Sequence, residues 1–420
     1  MLAPAPSSDP RTPKVYRPRV RVALGRVGAA LASFALVLAA LRAVAAPAGG
    51  SVIGGKLEYW RAHASEYDTV FLGSSHVFRA CVPAEFDRAS AGFALSTHSF
   101  NFGVQAVHLL EQRYLLRQIL VARPELARVF FEYQWLTPQL DPQNAFNPRT
   151  VYWHDAETTQ LAMERASHWG AELGDAFAFV EAENEAHSVF TVLDRALPPG
   201  TRAAEQHAQH WLTNLFFIGR GKDVLRGVLG RQHGQTARYR AQHGYLSLEE
   251  DDRQLAAGDT QNGDVQNSYR ARRERFLADQ AGYRRALDEL DAAEQSFGDA
   301  EWVNGELTRV DDFVLIAAIA AETRARGVEF VLVILPSQSA NRPFEERLME
   351  ELGSLVLRYN LPERYPALYD PANRWDSGHL SEEGARHFSR ILARDWAGQR
   401  GLERDGERRD GPEDEAEVPQ

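Results

Sequence analysis

The stretch Asp68-Thr69-Val70-Phe71-Leu72-Gly73-Ser74-Ser75-His76 constrains this chain more than any other. Thr69 to Leu72 favour a pleated strand, Gly73 allows a tight turn, and the residues after Ser74 can begin a helix. A strand that turns directly into a helix leaves Ser75 standing above the sheet edge, with its own N–H turned toward whatever approaches. That is half of a nucleophile. The other half, a base held by an acid, lies near the opposite end of the chain in Trp375-Asp376-Ser377-Gly378-His379-Leu380. The spacing from Asp376 to His379 fits one short turn, so the carboxylate can fix the imidazole tautomer and the imidazole can take the serine proton.

Strand and helix patterns around these pieces give the fold class. Thr69–Leu72, His98–Gly103 and Arg128–Tyr133 read as strands, Val82–Phe86 as a loop, and Val104–Val121 as a helix whose residues Val107, Leu110, Tyr114, Leu115 and Ile119 recur at helical spacing. Strand, helix, strand, helix, strand points to an α/β domain with a parallel sheet covered on both faces. After residue 310 come a helix at Asp311–Arg326, a strand at Val328–Leu335, a helix at 343–358, a short strand near Ala367–Tyr369 and a closing helix from Ser381 to Trp396, where Ser381 can cap the first turn. Residues 137–309 carry helical composition and no comparable strand. A span that long is an insertion, not a loop, and Leu246–Asn267, interrupted by glycine and aspartate, is expected to be flexible. In open parallel sheets ligands bind beyond the carboxyl ends of the strands, where strand order reverses. Ser75, Gly103, the stretch after Tyr133 and the Asp376–His379 turn all follow strands there, so four pieces converge on one rim.

The N-terminus adds a membrane. Arg11, Lys14, Arg17, Arg19, Arg21 and Arg26 precede an apolar run from Val27 to Leu41 that extends past Arg42 to Ala46. Basic residues before such a run keep that end in the cytoplasm and send the following chain across the membrane. About 15 to 20 apolar residues suffice for a span with snorkelling arginines, and the long basic lead-in favours an uncleaved signal anchor; Ala43-Val44-Ala45 offers the small residues of a signal-peptide cleavage site. The organisation expected is a cytoplasmic tail (1–20), an anchor (21–46), the linker Pro47–Ser51, the α/β domain in two parts (55–136 and 310–396), the helical insertion (137–309) and a disordered acidic tail (397–420). A net charge of −11 argues against non-specific nucleic-acid binding. The single cysteine, Cys81, excludes an internal disulfide framework and any CxxC metal or redox motif. No metal or organic cofactor is implied.

Together these pieces resemble the SGNH (GDSL-type) hydrolases, in the membrane-anchored branch that includes DltD-like and alginate-O-acetylation-like proteins. Gly73-Ser74-Ser75 stands where that family has Gly-Asp-Ser, which makes Ser75 the nucleophile and Ser74 the replacement for the aspartate. Asn101-Phe102-Gly103 is similar to the second block, whose glycine N–H helps form the oxyanion hole. Asp376-Ser377-Gly378-His379 is similar to the last block, which supplies the orienting acid and the base. The third block departs: Phe131-Glu132-Tyr133-Gln134 stands where the family has Gly-x-Asn-Asp, and Gln134 is the substitute for the missing donor. The resemblance covers residues 67–135 and 310–396. It implies a three-layer, flavodoxin-like fold, a cofactor-free ester hydrolase or O-acyltransferase with oxyanion donors from Ser75, Gly103 and Gln134, an acyl ester of cell-envelope polysaccharide as substrate, and a membrane acyltransferase as partner. The missing asparagine leaves open a catalytically silent scaffold or glycan-binding protein in envelope assembly.

Each residue also has a plainer reading. A serine after a strand is often a helix cap, His379 could pack in a core and Asp376 could cap a turn; their joint occurrence is what points to chemistry. Neighbours on a turn point apart, which makes His76 a pocket wall and not the base. His98 and His108 have no partner at metal-ligand spacing and read as structural. Cys81 reads as a small packed residue and Glu132 as the end of a strand. Arg149–Asp155, dense in aromatic and polar groups, has the composition of an exposed loop, suited to lining a carbohydrate site or to packing the insertion against the sheet.

Overall fold

Alternation along the strands decides how the layers form. The computed structural model describes residues 17–44, 50–134, 148–172, 199–216, 241–257, 263–297, 310–338, 342–352 and 356–402, with scattered positions between 218 and 228. Strands β1 (Thr69–Gly73), β2 (Ser99–Gly103), β3 (Arg128–Glu132), β4 (Glu329–Ile334) and β5 (Val356–Arg358) make one parallel sheet in the order β2-β1-β3-β4-β5. The first half of the chain supplies helices α1 (Arg17–Val44), α2 (Gly50–His63), α3 (Ser75–Ala80), α4 (Pro83–Ala91) and α5 (Leu109–Ala122). The insertion supplies α6 (Pro148–Tyr152), α7 (Ala156–Glu172), α8 (Pro199–Leu215), α9 (Leu248–Ala256), α10 (Gly263–Ala278) and α11 (Gln280–Phe297), and among its described residues there is no strand. The chain closes with α12 (Val310–Ala325), α13 (Arg342–Leu352), α14 (Pro366–Tyr369) and α15 (Glu382–Gln399).

Successive strand side chains point to opposite faces. Val70, Leu72, Phe100, Phe102, Val129, Phe131 and Leu332 pack on α2, α5 and α12, while Phe71, Phe130, Val331 and Val333 pack on α3, α4 and α15. Both faces of the sheet are therefore apolar, as a parallel sheet with two helical covers requires. Strand order reverses between β1 and β3, which puts the ends of those strands at the crevice where such sheets bind ligands.

Several local expectations change. Val82–Phe86 is not a loop: Pro83, whose fixed φ suits a first helical turn, starts α4, and Phe86 is buried under the sheet. The expected helix at 343–358 stops at Leu352, and Val356–Arg358 pairs with Leu332–Ile334 as the edge strand. Ala367–Tyr369 is helical, opened by Pro366. Leu246–Asn267 is not one flexible stretch, because Ser247 caps α9 by accepting the Glu250 N–H at 3.0 Å and Tyr245, Leu246 and Leu248 are buried; residues 258–262 lie outside the described residues. Arg149–Asp155 is not exposed either, since Val151, Tyr152, Trp153 and His154 are buried. At the N-terminus, Leu24–Ala43 of α1 is long and apolar enough to cross a membrane, with a mean hydropathy of 1.9 and none of it buried in the protein. The tails at 1–16 and 403–420, residues 45–46 at the end of the expected anchor and residues 47–49 of the linker lie outside the described residues.

Candidate active site

β1 runs out at Gly73, and the chain turns at Ser74 so that Ser75 opens α3. Ser74 is the N-cap, its Oγ accepting the His76 N–H at 3.1 Å. At the other end of the chain Trp375 donates its N–H to the His379 carbonyl at 2.9 Å and closes a tight loop. The buried guanidinium of Arg374 clamps that loop by donating to the carbonyls of Leu368 (3.1 Å), Asp376 (3.2 Å) and Ser377 (2.6 Å). Inside it, Asp376 Oδ1 accepts the N–H groups of Gly378 and His379 at 2.8 and 2.7 Å.

The two pieces meet. His379 Nδ1 lies 2.9 and 3.1 Å from the two Asp376 oxygens, and His379 Nε2 lies 3.0 Å from Ser75 Oγ. Burial lowers the His379 pKa to about 4, although the Asp376 hydrogen bond pulls it upward. At Asp376 burial pushes upward, but hydrogen bonds from the His379 ring and from the Gly378 and His379 N–H groups, with the histidine's charge, hold the carboxyl below its ordinary range. An ionised carboxylate can only accept, so the imidazole proton sits on Nδ1 and the bare Nε2 faces the serine. No protein-family model matches the chain, and no curated protein matches it. The chemistry of the site rests on its own geometry.

A buried carboxylate underpins the Ser74–Ser75 turn. Glu132, the last residue of β3, accepts the Ser74 N–H on one oxygen and the Ser74 hydroxyl, at 3.0 Å, on the other. The second oxygen also accepts from the Gln134 amide at 2.7 Å and lies 3.3 Å from His76 Nδ1. Gly73 makes room for it, since a Cβ there would lie 2.3 Å from a Glu132 oxygen. The end of the strand is thus a hub beneath Ser75. Its sequence signal is an acid where an apolar strand meets the rim, and the bond to Ser74 that gives it a role spans 58 residues.

Of the three expected oxyanion donors, only the Ser75 N–H is without an acceptor among the described residues. The Gly103 N–H donates to Asn101 Oδ1 at 2.8 Å, and the Gln134 amide is taken by Glu132. Asn101 in turn donates to the carbonyls of Val77 and Cys81 at 2.8 and 2.6 Å, so β2 is spent on holding α3. Gly103 allows that approach, because a Cβ there would lie 2.2 Å from the Phe78 nitrogen.

The insertion supplies the outer wall. An open cleft of about 760 Å³ runs between the Asp376–His379 loop and helices α10 and α11, with His379, His76, Arg272, Arg275 and Tyr283 on its lining. Tyr269 meets the His379 ring edge-on at 5.1 Å, its carbonyl accepts the Trp375 indole N–H at 3.3 Å, and Arg273 donates to the Trp375 carbonyl at 3.2 Å. Arg79, buried on α3, donates to the carbonyls of Leu246 and Ser247 and pairs with Asp251. His76 stands at the cleft mouth with its ring 5.1 Å from that of His379. Arg272 and Arg275 are exposed to the cleft and form no ion pair among the described residues.

The remaining singled-out residues lie elsewhere. His108 is half-buried, its ring packed edge-on against Trp153, and desolvation lowers its pKa to about 3. Cys81 is buried, which raises its thiol pKa well above the ordinary value. No group of histidine, cysteine and carboxylate residues among the described residues has the arrangement of a metal site.

Proposed function

We propose that this chain is a membrane-anchored ester hydrolase or O-acyltransferase of SGNH type, acting through Ser75 outside the cytoplasm. The observation that carries the reading is the unbroken relay Ser75 Oγ, His379 Nε2, His379 Nδ1, Asp376. Its place at the carboxyl ends of a sheet ordered 2-1-3-4-5, the flavodoxin-like order, supports the fold assignment.

In this mechanism Ser75 Oγ attacks the ester carbonyl as His379 Nε2 takes its proton, and Asp376 stabilises the imidazolium. The Ser75 N–H meets the developing oxyanion, a contribution of about 3 kcal/mol for one well-placed donor. The proton then passes from His379 to the leaving alcohol and an acyl-serine remains. Water as second acceptor gives hydrolysis; a sugar hydroxyl gives transfer. The basic flank before Leu24–Ala43 supports an outside location for the domain, and with it an envelope polysaccharide as the acyl-bearing or acyl-accepting partner. Arg272 and Arg275 favour a substrate that carries negative charge near the ester.

A fluorophosphonate probe, which reports an activated serine without knowledge of the substrate, tests the reading on the detergent-solubilised chain. Wild type is expected to label, and Ser75→Ala and His379→Ala are expected not to. The engagement of Gly103 and Gln134 favours one second reading, a silent scaffold that binds glycan. Absence of labelling in a wild type with an intact circular-dichroism spectrum would decide for the scaffold.

A further inference from the structure

One contact lies far from the cleft. The end of α8 packs beside α1: Phe216 lies 5.8 Å, ring to ring, from Phe34, and Arg42 donates to the Leu215 carbonyl at 3.1 Å. Phe34 and Arg42 both belong to the stretch Leu24–Ala43, which is long and apolar enough to span a bilayer. A segment that touches that stretch between its middle, at Phe34, and its end, at Arg42, stands within one leaflet up to its headgroups, not in bulk water.

Its composition fits that depth. Leu212, Phe216, Ile218, Leu225 and Val228 are exposed, Ile218 by 59% and Val228 by 65%, in a protein whose sheet buries its large apolar residues. Arg220, Lys222 and Arg226 are interleaved with them in the sequence, the pattern of a segment lying where acyl chains meet headgroups. The segment is also tied to the domain: Asn214 donates to the His154 carbonyl at 3.0 Å and accepts from Arg220 at 3.0 Å.

We propose that the end of α8 and the described residues after it, with Phe216, Ile218, Leu225 and Val228, lie in the bilayer leaflet beside α1, as a second lipid contact that fixes the catalytic domain against the membrane surface. This rests on the anchor reading of α1. The occupant of the exposed face is lipid, because the face is continuous with a helix whose own surface is apolar and unburied.

The test uses the full chain in vesicles of phosphatidylethanolamine and phosphatidylglycerol. Single cysteines carrying an environment-sensitive fluorophore replace Ile218, Leu225, Leu36 within the anchor, and Glu383 as a water-exposed reference; native Cys81 is buried. The Ile218→Cys and Leu225→Cys probes are expected to shift to the blue and be quenched by nitroxide-bearing lipids, as the Leu36→Cys probe is and the Glu383→Cys probe is not. Quenching of the first two by aqueous iodide alone, with Leu36→Cys still in lipid, overturns this inference and leaves the anchor standing. A blue shift that neither quencher relieves means protein covers the face, which also overturns it. A Leu36→Cys probe in water removes the anchor reading and this inference together.

Discussion

His379 and His154 are both buried histidines, 4% and 0% exposed, and burial lowers both pKa values, to about 4 and about 2. Their partners differ. His379 holds a carboxylate on Nδ1 and a serine on Nε2, and it borders an open cleft. His154 holds the Thr150 carbonyl at 2.6 Å and the His207 ring at 2.8 Å, and the insertion closes over it. Burial alone makes a histidine inert at neutral pH; a carboxylate partner restores part of its basicity, and a cleft gives it something to act on.

The largest expected effect separates the two sites directly. His379→Ala should lower the rate of fluorophosphonate labelling by about 10⁴-fold or more. His154→Gln should leave that rate near wild type while lowering stability to urea by about 1–3 kcal/mol, the cost of disturbing a buried hydrogen-bonded pair. Equal losses of labelling in both variants would break the comparison. Next in size is Asp376→Asn, expected to cost about 10⁴-fold in labelling rate because an amide no longer holds the proton on Nδ1. Its circular-dichroism spectrum should remain that of wild type.

Glu132→Gln sharpens the picture one step further out. Neither orientation of an amide can accept from Ser74 N–H, Ser74 Oγ and Gln134 Nε2 together. Labelling should slow roughly tenfold to a hundredfold, as a nucleophile turn with one orphaned donor loses about 1–3 kcal/mol of positioning. An unchanged labelling rate would show that α3 alone holds Ser75.

These residues were unequally visible in the sequence. Ser75, Asp376 and His379 sit in short turns whose residues are neighbours along the chain, so a local pattern carries them. Glu132 acts on Ser74, 58 residues away, and its one bond to a near neighbour, the Gln134 amide, reveals nothing of that, so it read as a strand end. Gly103 read as an oxyanion donor through the resemblance of Asn101-Phe102-Gly103 to a family block, but its N–H is spent on Asn101, whose side chain locks α3 through bonds the sequence does not show. β5 is too short for strand alternation to outvote the helical pattern before it, and α14 begins at a proline that composition alone does not separate from a strand end. The arginines of the cleft wall are helix-surface residues by pattern, and only packing brings them to His379.

The cleft wall gives a smaller effect. The double variant Arg272→Gln, Arg275→Gln should leave turnover of a neutral aryl ester unchanged and raise KM for its carboxylated counterpart about threefold to tenfold, since exposed charge pairs are worth about 1 kcal/mol. Equal KM changes for both esters would assign the arginines to structure and not to charge recognition.

The smallest expected effect is a flat pH profile. An ordinary histidine near pH 6.5 is only about one-tenth neutral at pH 5.5, whereas one at about 4 is almost entirely neutral there. The labelling rate should therefore hold between pH 8 and pH 5.5 and fall only as pH drops through about 4, when the proton on Nε2 blocks acceptance from Ser75. Stability follows the same sign: between the folded value of about 4 and the unfolded value near 6.5 the unfolded chain binds more protons, so stability is complete above the upper value and is lost as pH falls through that window. Since the Asp376 hydrogen bond raises the histidine pKa, Asp376→Asn should move the residual acid limb further down, toward the value of His154. A wild-type limb near pH 6.5 would mean that His379 is solvated as His154 is not, and that the two sites differ in burial and not only in their partners.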